Sequence, residues 1–188
     1  MNSFESYLRS RWNELNEVVG YENTKYILSS TREFGEGEHK IMNRLRTLDT
    51  HTDVAIYGLD ADLIILGMTQ TKRHNVCLFR ENVHCAIREF SQEEYILMNV
   101  NALWESILKE INIFIQSHND TMRHKGIEPA SLSIQPDRIL WDFILLTCYF
   151  GNDFVPAIPM CSLSIEDSIW FLLQKYAITV AEEGSYMV

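Results

Sequence analysis

Two short apolar runs, VAIYG (54–58) and NVCLFRE (75–81), are spaced so that only a short helix, LDADLIILG, fits between them. Apolar runs of this length, rich in β-branched and aromatic residues, read as buried strands. Ahead of them, YILSS (26–30) is β-compatible, and HKIMNRLRTL places Ile41, Met42, Leu45 and Leu48 on one helical face. Strand, helix, strand, short helix, strand is the rhythm of a parallel α/β sheet. The expectation is an α/β fold with a parallel-sheet core over about 1–90 and a helical second half over about 91–188.

Helical spacing of apolar residues (Phe4, Leu8, Trp12, Leu15, Val18) marks an N-terminal helix. Residues 93–117 read as one long helix, followed by a polar loop from His118 to Asp137. RILWDFILLTCYF reads as a strongly apolar helix ending at Gly151, and SIEDSIWFLLQKYA as another helix. Trp12, Trp104, Trp141 and Trp170 all fall on apolar helical faces, which predicts core packing rather than base stacking.

Hydrophobic residues make up 46% of the chain, enough for a packed core, yet no run is long enough for a membrane span. The first residues lack a continuous apolar stretch of signal-peptide type, and four cysteines without CxxC pairing fit a reducing compartment. An intracellular location, cytoplasmic or nuclear, is expected. His74, Cys77, His84 and Cys85 invite a zinc reading, but adjacent His84 and Cys85 fit tetrahedral ligation poorly. The net charge of −10 argues against a broad basic groove for phosphate backbones. It does not exclude a nucleic-acid enzyme whose negative charge is concentrated in a metal site.

Three acidic motifs carry the chemistry. In GEGEHK, Glu36 and Glu38 flank Gly37 at the entry to a helix, where turn or extended backbone would bring both carboxylates to one side. Asp60 and Asp62 repeat the spacing after a strand, at the carboxyl end where open α/β sheets build their sites. Asp153 follows Gly151 in GNDF. Each motif alone has an ordinary reading: acids at a helix N-terminus, a cap-and-turn pair, a turn. Five converging carboxylates would repel one another and resist ionisation, and hard divalent cations such as Mg²⁺ or Mn²⁺ resolve that conflict.

FGEGEHKIMNRLR, YGLDADLIILGM, LFRE and GNDFVPAIP, in this order, resemble the XRN-type 5′→3′ exoribonucleases, and LDAD and GND echo the wider flap-endonuclease-like nuclease class. The resemblance runs over nearly the whole chain. Phe34 stands where the family usually has proline, and Ala157 where histidine is common. The resemblance implies that Glu36, Glu38, Asp60, Asp62 and Asp153 bind two catalytic divalent ions. Glu38, Asp60, Asp62 and Asp153 would surround one, with Glu36 and Glu38 contributing to the other. It implies in-line attack of water on a phosphodiester of RNA bearing a 5′ monophosphate, with ions ~4 Å apart.

The resemblance also implies that an N-terminal portion of the family's catalytic domain, with further aspartates and a basic phosphate pocket, is absent here. The chain would then be one half of a split enzyme completed by a second polypeptide or by self-association, a non-catalytic RNA- or protein-binding relative, or a fragment. Arg44 and Arg46 read as a solvated face, and Arg80 as a partner of a site carboxylate or of the surroundings of Glu81. A glycosyltransferase would use the D-x-D pair but leaves GEGEHKI and GNDF unexplained. A phosphatase built on Asp60 would want a short polar residue where Ile64 stands.

Overall fold

The computed structural model describes residues 2–16, 24–25, 27–82, 93–153, 155–159, 161 and 167–188. The chain divides into two compact units, Met1–Leu48 and Asp49–Val188.

Among the described residues the first unit holds two helices. α1 spans Asn2–Asn16 and α2 spans Gly37–Leu45. On α2, Met42 and Leu45 are buried, as their spacing predicts, while Arg44 and Arg46 lie exposed on the other side. Residues 27–30 form no strand, and Tyr26 lies outside the described residues, so the strand expected over 26–30 is not found. Among the described residues 27–30 have no ladder partner, and a lone apolar run without one has no reason to form a strand.

The second unit is built on a three-stranded sheet in the order β1-β2-β3, with β1 at Thr52–Tyr57, β2 at His74–Glu81 and β3 at Tyr95–Asn99. β1 and β2 are parallel, joined through α3 (Asp62–Met68), which bears out the expected strand–helix–strand crossover. β3 runs antiparallel to β2, so the sheet is mixed rather than wholly parallel. This corrects the single helix expected over 93–117. Tyr95–Asn99 pair with Cys77–Glu81, and Asn99 turns the chain by accepting a hydrogen bond from the Ala102 amide at 3.0 Å, the N-cap of α4 (Val100–His124). The helix then continues through the first part of the polar stretch taken for a loop.

α5 spans Pro136–Thr147, a 3₁₀ turn follows at Cys148–Phe150, and α6 spans Ser168–Glu183. α4 is the central element: it packs on β2, β3, α3, α5 and α6. Its buried side chains Trp104, Ile111 and Ile115 join Phe143 and Val180 in the core, with Trp104 and Phe143 rings 6.2 Å apart. Asn101 ties the start of β2 to this helix, accepting from the Val76 amide at 2.8 Å and donating to the Thr71 and His74 carbonyls. Of the tryptophans, Trp104 is buried as expected, but Trp141 and Trp170 are about half exposed; the side chain of Trp12 lies outside the described residues. An apolar helical stripe wider than the contact it serves leaves its flanks in solvent. Among the described residues no helix is long and apolar enough to cross a membrane. His84 and Cys85, half of the zinc reading, also lie outside the described residues.

Candidate metal centre

In the first unit the backbone turns at Ser30, whose carbonyl accepts from the Glu33 amide at 3.1 Å and from Lys40 Nζ at 3.0 Å. Gly35 takes φ +100°, a conformation L side chains rarely adopt. Glu36 is then extended (φ −72°, ψ 160°) as the N-cap of α2, and Glu38 lies in the first helical turn. Gly37 has no positive φ, and a Cβ there would meet nothing within 4 Å, so only the first of the two glycines is needed for the turn.

Ligand atoms of Glu36, Glu38 and His39 lie within 4.8 Å of one another. His39 Nδ1 is 3.6 Å from Glu36 Oε2. Glu36 and His39 are exposed and Glu38 is half-buried. Two carboxylate oxygens and an imidazole nitrogen at the positive end of a helix form a donor set suited to a divalent cation, Mn²⁺ more than Mg²⁺ because of the nitrogen. His39 did not emerge from the sequence. The available signal was its position three residues after Glu36, one helical turn on.

In the second unit the loop after β1 carries the paired aspartates. The Gly58 amide donates to the Phe79 carbonyl at 3.2 Å, and Arg80 Nη2 donates to the Leu59 carbonyl at 2.8 Å. Arg80 therefore holds the backbone next to Asp60, not a carboxylate, and this replaces the pairing expected for it. Asp60 Oδ1 accepts from the Asp62 amide at 2.9 Å, and Asp62 opens α3, which buried Leu63 anchors below. The ordinary cap-and-turn reading of the pair is thus geometrically true of Asp60, and it leaves the Asp60 second oxygen and the Asp62 carboxylate for other work.

Asp153 arrives from the far end of the chain. Gly151, at φ 79° and ψ 161°, ends the turn after α5, and a Cβ there would lie 2.6 Å from the Ala157 amide nitrogen. The loop beyond is closed by Asn152, whose side chain accepts from the Val155 amide at 2.8 Å. The Asp62 carboxyl is pushed above its ordinary value by partial burial first, then by the negative charges of Asp60 and Asp153. Asp60, beside it at the carboxyl end of β1, and Asp153, from the turn after α5, thus both act on the Asp62 carboxyl. Repulsion of this kind is what a bound cation relieves, but among the described residues the ligand atoms close enough together to share one ion are those of Glu36, Glu38 and His39, and the aspartates do not form such a group.

Residues 1–82 match a family model described as the XRN 5'-3' exonuclease N-terminus, and residues 133–188 match one described as the Xrn1 helical domain. The two matched stretches contain Glu36, Glu38, Asp60, Asp62 and Asp153. The chain belongs to the XRN 5'-3' exonuclease family. Among its relatives, 5'-3' exoribonuclease 1 of Saccharomyces cerevisiae is 32% identical over 95% of this chain and 11% of the relative. 5'-3' exoribonuclease 2 of the same yeast is 29% identical over 89% and 18%. 5'-3' exoribonuclease 1 of Homo sapiens is 31% identical over 81% and 9%. The chain thus spans less than a fifth of the length of these XRN relatives.

Proposed function

We propose that this XRN-family chain supports divalent-metal-dependent 5′→3′ exoribonuclease chemistry on RNA with a 5′ monophosphate, with Glu36, Glu38, Asp60, Asp62 and Asp153 as its share of the site. The observation that carries the reading is that the two stretches matching the XRN family models contain all five acids; the Asp62 carboxyl, raised by burial and by the charges of Asp60 and Asp153, supports it.

Glu36 and Glu38, with His39, would hold one Mg²⁺ or Mn²⁺, and Asp60, Asp62 and Asp153 a second. Bound there, such ions supply a water nucleophile of lowered pKa and neutralise charge on the leaving oxygen of the phosphodiester. Asp60 orients Asp62 through the Asp62 amide, Arg80 fixes the loop that carries both, and Gly151 aims Asp153. The remaining groups of the site, including a cationic pocket for the 5′ phosphate, come in this reading from a second polypeptide or a second copy of the chain. The whole of residues 1–188 is proposed to serve as one nuclease element.

The test is degradation of 5′-monophosphorylated, 3′-labelled RNA with Mn²⁺ over a range of chain concentrations, against the Asp60→Ala variant. Nucleotide release that Asp60→Ala abolishes supports the reading. Intact RNA at every concentration, with Mn²⁺ bound, would replace it with that of a non-catalytic binding protein.

A further inference from the structure

The sheet of the second unit has one covered face and one open face. His74, Val76 and Leu78 point from β2 into the core, where α3 and α4 pack against the strand. The alternate positions project the other way. There Tyr57, Phe79 and Leu97 are aligned across the three strands, and Tyr95 sits beside them opposite Glu81. Their side chains form a continuous ladder: Tyr57 and Phe79 ring centroids are 5.7 Å apart, and Phe79 and Tyr95 are stacked at 5.2 Å and 18°. All are substantially exposed, Tyr57 at 58%, Phe79 at 38%, Tyr95 at 42% and Leu97 at 65%.

Parallel strand pairs are ordinarily covered on both faces, and a contiguous exposed apolar patch of this kind marks an interaction surface. Aromatic side chains in a row on an open sheet could serve either nucleic-acid bases or a protein helix. The charges decide between them. Among the described residues this face carries two carboxylates, Asp53 and Glu81, and no lysine, arginine or histidine. Glu81 accepts from the Tyr57 hydroxyl at 2.8 Å and so is held at the aromatic ladder, while Asp53, which accepts from Asn75 Nδ2 at 2.7 Å, lies on the same face four residues before Tyr57 along β1. A phosphate backbone laid over these rings would meet only negative charge, and the chain as a whole stands at −10.

We propose that this face docks an amphipathic helix of a partner polypeptide, its apolar stripe on Tyr57, Phe79, Tyr95 and Leu97 and its flanking lysines or arginines against Asp53 and Glu81. The docked helix completes the second layer over the parallel pair. The inference stands on the sheet alone and does not depend on the hydrolase reading.

The probe is an amphipathic helical peptide of about 18 residues with leucines on one face and flanking lysines, alongside the same peptide with glutamates for lysines. Binding is read by fluorescence anisotropy and by the alkylation rate of Cys77, which lies on the same face of β2 as Phe79. The lysine peptide is expected to bind and to slow Cys77 alkylation, the glutamate peptide to do neither, and Leu97→Ser to weaken binding about tenfold. Leu97 is the most exposed of the four, so this variant retains the fold. Glu81→Gln, which keeps an acceptor for Tyr57, is expected to weaken binding and flatten its salt dependence. The proposal is overturned if the lysine peptide does not bind, or binds Leu97→Ser as tightly without protecting Cys77. It is also overturned if single-stranded oligouridine protects Cys77 and displaces the peptide.

Discussion

Asp60 Oδ1 accepts a hydrogen bond from the Asp62 amide at 2.9 Å, so the first aspartate of the pair builds the turn that presents the second. Charge and geometry at Asp60 can therefore be separated by mutation. Asn at this position keeps the acceptor and removes the charge, whereas Ala removes both. Asp60→Asn should abolish Mn²⁺ binding at the aspartate cluster with little loss of stability. Asp60→Ala should lose the metal as well and cost about 1 kcal/mol in addition. Calorimetric Mn²⁺ titration beside denaturant melts distinguishes the two.

The Asp62 carboxyl titrates above its ordinary value because burial and its two acidic neighbours disfavour the ionised form. A carboxyl raised in the folded state binds its proton more tightly there than in the unfolded chain, so its ionisation weakens the fold at neutral pH. That penalty disappears as the pH falls below the unfolded value near ~4. Without metal, Asp62→Asn should melt higher than the unmodified chain at pH 7, with the difference closing by about pH 3. Added Mn²⁺ should raise the melting temperature of the unmodified chain more than that of the variant.

Gly35 and Gly37 look alike in the sequence and differ in the fold. Gly35 sits at φ +100°, while Gly37 opens α2 with room for a Cβ. Gly35→Ala should displace Glu36 and weaken Mn²⁺ binding at the glutamate cluster. Gly37→Ala should leave it intact and be neutral or stabilising by up to about 1 kcal/mol. Gly151→Ala combines backbone strain with a contact on Ala157 and should cost about 1–3 kcal/mol while misplacing Asp153. Parallel melts and Mn²⁺ titrations of the three variants check this ordering.

Arg80 reaches across from β2 to the Leu59 carbonyl at 2.8 Å. Arg80→Met should leave the sheet folded but loosen the loop, lowering Mn²⁺ affinity at Asp60 and Asp62 about tenfold, and Arg80→Lys should restore part of it. Titration of the three forms under one buffer condition would reveal whether the contact positions the metal loop.

A structural counterpart lies in the helical half, where buried Asp142 accepts from the Tyr176 hydroxyl at 2.7 Å and from the Met187 and Val188 amides at 3.0 and 2.8 Å. Burial first, and then this carboxylate, push the Tyr176 hydroxyl well above its ordinary range. Stability should fall as the pH rises past about 10, where the unfolded chain loses the tyrosine proton and the folded one keeps it. Tyr176→Phe should cost about 1–3 kcal/mol at neutral pH and flatten that alkaline limb in pH-dependent melts.

Much of this was legible in the order of residues because the signals were local. The crossover from VAIYG to NVCLFRE and the stripe of Met42 and Leu45 rest on periodicity, which a single segment carries by itself. β3 was hidden because Tyr95–Met98 is an apolar run continuous with the helix after it, and only Asn99, a capping residue between the two, marks the change. The absent strand at 26–30 shows the converse: composition favours extension, but a strand needs a partner. The aspartate pair was readable from its spacing, but that the charge of Asp153, more than ninety residues on in sequence, acts on Asp62 depends on the tertiary fold. His39 and the Arg80–Leu59 contact depend on side-chain directions that spacing does not specify.

The most direct test of the account is isothermal calorimetry of Mn²⁺ on the purified chain beside Asp60→Asn and Glu36→Gln. Saturable binding to the unmodified chain is expected, with each variant losing a part of it. Equal heats for all three proteins, or no binding to any, would contradict a metal centre built from these acids.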